Sequence, residues 1–204
     1  MRATCRASGF KTFIVMVAVI ATLSACRSTV GDATAPASSP SAPEKEAQML
    51  TLSSPAFENG GLIPVEYAAT GVAGGQNISI PYEWRGAPDG TKSFALAVVD
   101  LHPVAHSWVH WMVTGIAPQV SSLARGASGR SMPAGVVEHP NTAGRIGYSG
   151  PQPPIGSGNH EYKATLYALD ITSPNPSART LQEFVAAIDG HVLASADCSG
   201  FFGR

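Results

Sequence analysis

Between Asp100 and Trp111 (DLHPVAHSWVHW) the sequence gathers one carboxylate and three imidazoles, on His102, His106 and His110, with a hydroxyl on Ser107. Such a set could give an anion its hydrogen-bond donors, hold a metal, or pair an acid and a base beside a nucleophile. The three histidines recur every fourth residue, as metal ligands on a helical face would, but Pro103 and the β-branched and aromatic run around Trp108 argue against a helix. Read as a strand, Ser107 to Gly115 sends Trp108 and His110 to one face and Val109 and Trp111 to the other. A histidine so placed beside large aromatics could equally be a hydrogen-bonded core residue. The second segment with chemistry in it runs from Gly147 to Tyr162 (GYSGPQPPIGSGNHEY). Its prolines fix φ and its glycines admit close backbone approach, so the loop could offer N–H groups to an oxyanion or simply form a rigid turn.

Elements rich in β structure must carry these segments. Pro and Gly recur between short apolar runs throughout the region from Met49 onward, and helix is scarce. The strongest strands are Ser93 to Asp100, Ser107 to Gly115 and Glu161 to Asp170, and all three read as central. One helix is expected, with Thr180 and Glu183 as a capping box and Leu181, Phe184, Val185, Ile188 and Val192 on one face; Gly190 could end it early.

The 204 residues begin with a different kind of segment. Arg2, Arg6 and Lys11 precede an apolar run from Thr12 to Thr22, too short to span a bilayer comfortably, and Leu23-Ser24-Ala25-Cys26 has the form of a bacterial lipobox. Residues 1–25 are therefore expected to be a lipoprotein signal peptide, and Cys26 to carry a diacylglycerol that anchors the chain to the cell membrane on its extracytoplasmic face. Residues 27–48 hold almost no large apolar group, so they read as a disordered tether ahead of one domain over 49–204. Cleavage removes three basic residues and no acidic one, leaving 10 basic against 14 acidic. A mildly acidic chain has no electrostatic reason to bind nucleic acid, and any anion must be captured locally. Of the three cysteines, Cys5 leaves with the signal and Cys26 takes the lipid, so Cys198 stands alone, most simply as a small buried hydrophobe.

An Asp-Pro loop leading to a His-aromatic strand, then GxxGYxGPxPP and HxY, resembles the phosphatidylethanolamine-binding protein family, in particular its bacterial, Raf-kinase-inhibitor-like branch. Ser54 to Phe57 (SPAF), Ile63-Pro64, Pro81 to Trp84, Lys92 to Leu96 (KSFAL) and Tyr167 to Asp170 (YALD) extend the resemblance across residues 49–204. It implies a mainly β fold, a β-sandwich around a large central sheet with a C-terminal helix, and a pocket for phosphate-type anions. Carried over, that pocket comprises Asp100, His110, Tyr148, Gly150, Pro154, His160 and Tyr162. The sequence also departs from the family pattern: His102 stands where a second Asp is usual, and Ala69 and Gln152 occupy positions usually held by Cys and by the Cys of GPCPP.

The resulting expectation is a lipid-anchored binding protein for small anionic or phosphorylated ligands such as phospholipid headgroups. His110 and His160 would act as donors, Asp100 would orient an imidazole, Tyr162 would add a hydroxyl and loop N–H groups would complete the cradle. No cofactor and no metal are expected. A protein partner, a kinase or protease modulated through the pocket loops, is the alternative. A hydrolytic triad of Asp100, His110 and Ser107 or Ser149 is set aside, because nothing resembles a G-x-S-x-G elbow, so no enzymatic activity is expected.

Overall fold

The computed structural model describes residues 49–174 and 177–204, which belong to one compact unit. The expected signal peptide, Cys26 and the tether to residue 48 lie outside the described residues. No helix among the described residues is long and apolar enough to cross a membrane.

Among the described residues, nine strands form two sheets. In chain order they are β1 (Thr51–Ser53), β2 (Gly61–Leu62), β3 (Tyr82–Arg85), β4 (Ser93–Asp100), β5 (Trp108–Ile116), β6 (Ser122–Leu123), β7 (Val137–Glu138), β8 (His160–Leu169) and β9 (Val192–Phe202). The small sheet has the order β1-β3-β6, and the large one β2-β9-β8-β4-β5-β7, with β2 parallel to β9. The three strands that the sequence marks as central, β4, β5 and β8, are indeed interior.

The reason is visible in β4, every residue of which is buried. Its even-numbered residues Phe94, Leu96 and Val98 enter the core between the sheets, joined by Trp84 and Leu52 from the small sheet, while Ala95, Ala97 and Val99 face a second core under the helix. A strand covered on both faces must be apolar throughout. The helix α1 (Leu181–Ile188) buries Phe184 and Ile188 in that second core. Thr180 Oγ1 accepts from the Glu183 N–H, and Glu183 Oε2 accepts from the Arg179 N–H, so the cap is as expected but closes one residue further back. Gly190 follows with φ +75° and the helix stops; Val185 stays 46% exposed and Val192 belongs to β9, so neither joins the apolar face assigned to it.

Strict alternation fails in β5. Val98 pairs with Trp111, yet the next residue, Val99, pairs with Val109, so His110 is the extra residue of a β-bulge. The bulge resets the pleat: Val109 packs in the helix-side core and Trp111 in the inter-sheet core, and His110 shares a cavity with Trp108 and Asp100. The expectation that His110 and Trp111 face opposite ways is therefore corrected, since two successive residues oppose one partner there.

Candidate functional site

The inter-sheet core runs out at one end of β4 and β8. After Phe94, Leu96 and Val98, the next side chain on the same face is Asp100; on β8, Leu166 and Ala164 give way to Tyr162, the cross-strand partner of Asp100, and then to His160. A cavity of about 430 Å³ opens there, and Asp100, His110, Gly150, Pro154, His160 and Tyr162 all line it. Tyr148, the seventh expected site residue, does not. Its ring packs edge-on to Trp111 and its hydroxyl donates to the Tyr67 carbonyl at 2.9 Å, which makes it a core residue.

Asp100 organises one wall. Its Oδ1 accepts from the His102 N–H at 2.9 Å, and its Oδ2 accepts from His160 Nδ1 at 2.7 Å. The other nitrogen of His160, Nε2, lies 2.9 Å from Ser157 Oγ. Both nitrogens of His160 are thus engaged within the protein, and its ring is fully buried. The His102 ring stacks on it at 3.8 Å, an interplanar angle of 9°, and does not line the cavity.

His110 is held differently. Its Nδ1 donates to the Ser149 carbonyl at 2.6 Å, an acceptor that cannot donate back, so the neutral ring carries its proton on Nδ1 and presents Nε2 as a lone pair. Nε2 makes no hydrogen bond to the described residues. Burial holds the imidazole below its usual range, against the opposing pull of the Ser149 carbonyl and the Asp100 charge. Beside it, at 5.0 Å between ring centroids, stands Tyr162. The Tyr162 hydroxyl and the Trp84 indole N–H are the two buried side-chain polar atoms without a hydrogen-bond partner among the described residues. Burial first, then the nearby Asp100 carboxylate, pushes the phenol far above its ordinary range, so it remains a proton donor.

Two of the loop amides beside the cavity, those of Ser149 and Gly150, are not free for a ligand. The Ser149 N–H donates to the His110 carbonyl and the Gly150 N–H to Asn77 Oδ1. Gly150 is required for a different close approach, because a Cβ there would sit 2.2 Å from the Tyr67 carbonyl oxygen. Sequence reasoning missed two contributors: Trp108, 39% exposed, and Arg145, whose guanidinium has no partner among the described residues, both line the cavity. Arg145 had a signal, a lone cation two residues before GYxG in an otherwise uncharged loop.

The triad of Asp100, His110 and Ser107 or Ser149 is not assembled, since His110 Nδ1 meets the Ser149 carbonyl and not its hydroxyl. The described residues contain no group of three or more His, Cys, Asp or Glu placed to hold a metal. A larger groove of about 840 Å³ lies between the start of α1 and the His106–Ser107 loop. The buried polar side chain in its wall, Asn141, is already spent on the Gly147 carbonyl and the Arg145 N–H. The unpartnered buried hydroxyl distinguishes the smaller cavity as the candidate site.

Comparison with known proteins agrees with this architecture. The family model described as phosphatidylethanolamine-binding protein matches residues 53–203. The chain is 38% identical over 176 residues to LppC, a candidate lipoprotein of Mycobacterium tuberculosis, covering 86% of this chain and 80% of that one. A phosphatidylethanolamine-binding protein homologue from Chlamydia trachomatis superposes with a TM-score of 0.66 at 33% identity, covering 77% of this chain and 99% of that one. Escherichia coli YbcL, described as a member of the mammalian family of these proteins, gives a TM-score of 0.71 at 27% identity over 76% and 98% of the two chains.

Proposed function

Because this chain belongs to the phosphatidylethanolamine-binding protein family, we propose that it binds small anionic or phosphorylated ligands, phospholipid headgroups among them, in the cavity between Asp100, His110 and Tyr162. The observation that carries the proposal is the buried, unpartnered Tyr162 hydroxyl beside the unpartnered nitrogen of His110. A buried donor left unmade costs about 1–3 kcal/mol, and a phosphate oxygen would satisfy it. Arg145 at the rim adds the positive charge that attracts an anion and helps to hold it. In the same reading the chain is held at a membrane by a lipid on Cys26; the similarity to LppC supports it, and transfer of a Cys26→Ala variant from the detergent to the aqueous fraction is its test.

The binding test is calorimetric titration of glycerophosphoethanolamine into the wild-type chain and into Tyr162→Phe. Saturable binding that weakens about tenfold in the variant, 1.4 kcal/mol, is the expected result. Equal affinity in the two would remove the hydroxyl from the site, and no binding to the wild type would overturn the headgroup reading.

A further inference from the structure

We propose that Ser157 is an activated nucleophile, with His160 as its general base and Asp100 positioning that base, and that the chain hydrolyses small activated carboxylic esters at this serine. Ser157 Oγ lies 2.9 Å from His160 Nε2, and His160 Nδ1 lies 2.7 Å from Asp100 Oδ2. The carboxylate fixes the proton of the neutral ring on Nδ1 and so aims the Nε2 lone pair at the hydroxyl, the arrangement a serine needs to lose its proton as it attacks. Both other members are deeply buried, with side-chain exposures of 1% for His160 and 5% for Asp100, so water does not compete for the pair.

The backbone around Ser157 has the other features a nucleophile requires. Gly156 and Gly158 have φ of +82° and +85°, and the turn they make leaves the serine partly exposed on a sharp bend. The N–H groups of Gly158 and Asn159 make no hydrogen bonds among the described residues. They are free donors directly after the nucleophile, where acyl-transfer sites stabilise the oxyanion. His160 and Pro154, both hydrogen-bonded to Ser157 Oγ, also line the cavity, whereas Ser157 itself is not part of its wall; an acyl group would reach the serine from its partly exposed side, between the exposed Gly156 and Gly158.

The hydroxyl proton has a competing acceptor, the Pro154 carbonyl at 2.7 Å. That competition is why activated esters, and not amides, are the substrate class. In the reaction Oγ attacks the ester carbonyl carbon while its proton passes to Nε2. The bond to the leaving oxygen then breaks as Nε2 returns the proton to it, giving the alcohol and an acyl-serine. Water, deprotonated in its turn by Nε2, attacks the acyl-serine and releases the carboxylic acid, which restores Ser157.

The test is to treat the full chain with an alkyl fluorophosphonate and locate the adduct by mass spectrometry, with p-nitrophenyl acetate hydrolysis followed alongside. One phosphonyl group per chain at Ser157 is expected. Labelling and turnover should vanish in Ser157→Ala and slow about a hundredfold or more in a folded His160→Gln variant. If His160→Gln does not fold, Asp100→Asn provides the same comparison through the base's orientation. A folded wild-type chain without an adduct at Ser157, or labelling as fast in these variants as in the wild type, overturns the proposal. Headgroup titration does not read Ser157, so failure here leaves the binding function standing and failure of binding leaves this one standing.

Discussion

His110 and His160 face one cavity from the two strands that flank β4, both are buried, and both direct Nδ1 to an internal oxygen. They differ in what that oxygen is and in what the second nitrogen meets. His160 is tied to a carboxylate and then to a serine hydroxyl, so no nitrogen is left for a ligand. His110 is tied to a backbone carbonyl, and its second nitrogen has no partner among the described residues. The lesson is that the composition of a pocket is not its donor set: one histidine is part of the wall's hydrogen-bond frame, and the other is available to whatever enters. The assignment of both as ligand donors therefore divides, with Tyr162 and His110 on the ligand side and Asp100 and His160 in the frame.

The largest test of this division is stability. Asp100→Ala strips the acceptor from the His160 ring, in a nearly dry site, and from the part-buried His102 N–H, and should cost about 3–5 kcal/mol in denaturant unfolding. His110→Ala breaks one neutral hydrogen bond to the Ser149 carbonyl and should cost about 1–2 kcal/mol. Equal losses in the two variants would erase the distinction between frame and donor.

Much of this was legible in the sequence, for identifiable reasons. β4 coincided with its expected span because a strand buried on both faces is apolar at every position. Order and spacing of the motifs brought six of seven expected residues to one cavity. Tyr148 was misplaced because nothing in GYSGP tells a ring that packs on Trp111 from one that faces a ligand. The bulge at His110 was invisible because alternation assumes an unbroken ladder. β9 escaped notice because its inward residues, Ala194, Ala196, Cys198 and Gly200, are small where they lie under the small sheet, and an apolar signal needs large side chains. Ser157 was missed as a partner of His160 because the two intervening residues, Gly158 and Asn159, bend back through a turn that only the pattern of Gly156 and Gly158 hints at.

The next effect is a separation of affinity from stability. Since the Tyr162 hydroxyl is buried without a partner, Tyr162→Phe should leave the unfolding free energy unchanged or raise it by up to about 1 kcal/mol while weakening headgroup binding about tenfold. A variant that loses stability in step with affinity would mean that the hydroxyl belongs to the frame, bonded to Asp100.

Arg145 lies at the rim, so its contribution should be smaller and screened by salt. Arg145→Ala is expected to weaken binding of an anionic headgroup about fivefold at low ionic strength, mainly through the association rate, and to have little effect at about 0.5 M salt. A salt-independent loss would place the guanidinium inside the site in direct contact with the ligand.

The smallest effect is the response to pH, and it should run in opposite directions for folding and for binding. Burial disfavours the charged form of His110 in the folded chain, with the neighbouring His160 adding to the effect and the Ser149 carbonyl and Asp100 opposing it. Its folded pKa lies below the unfolded value near ~6.5, so the stability tied to the neutral ring is fully present above that value and declines as pH falls below it. His139, similarly lowered by burial between Thr114 and Ala178, adds to the same decline. Binding has the other sign. A phosphate at Nε2 favours the imidazolium, so the bound chain takes up a proton that the free chain does not hold, and affinity rises as pH falls. Affinity for glycerophosphoethanolamine, a diester of constant charge, should therefore be higher at about pH 6 than at about pH 8, as calorimetry at the two values would read. His110→Gln should flatten the affinity curve and leave His139's share of the stability decline in place. If the affinity slope survives in that variant, His110 is not the group that answers the ligand's charge, and the division between the two histidines is wrong.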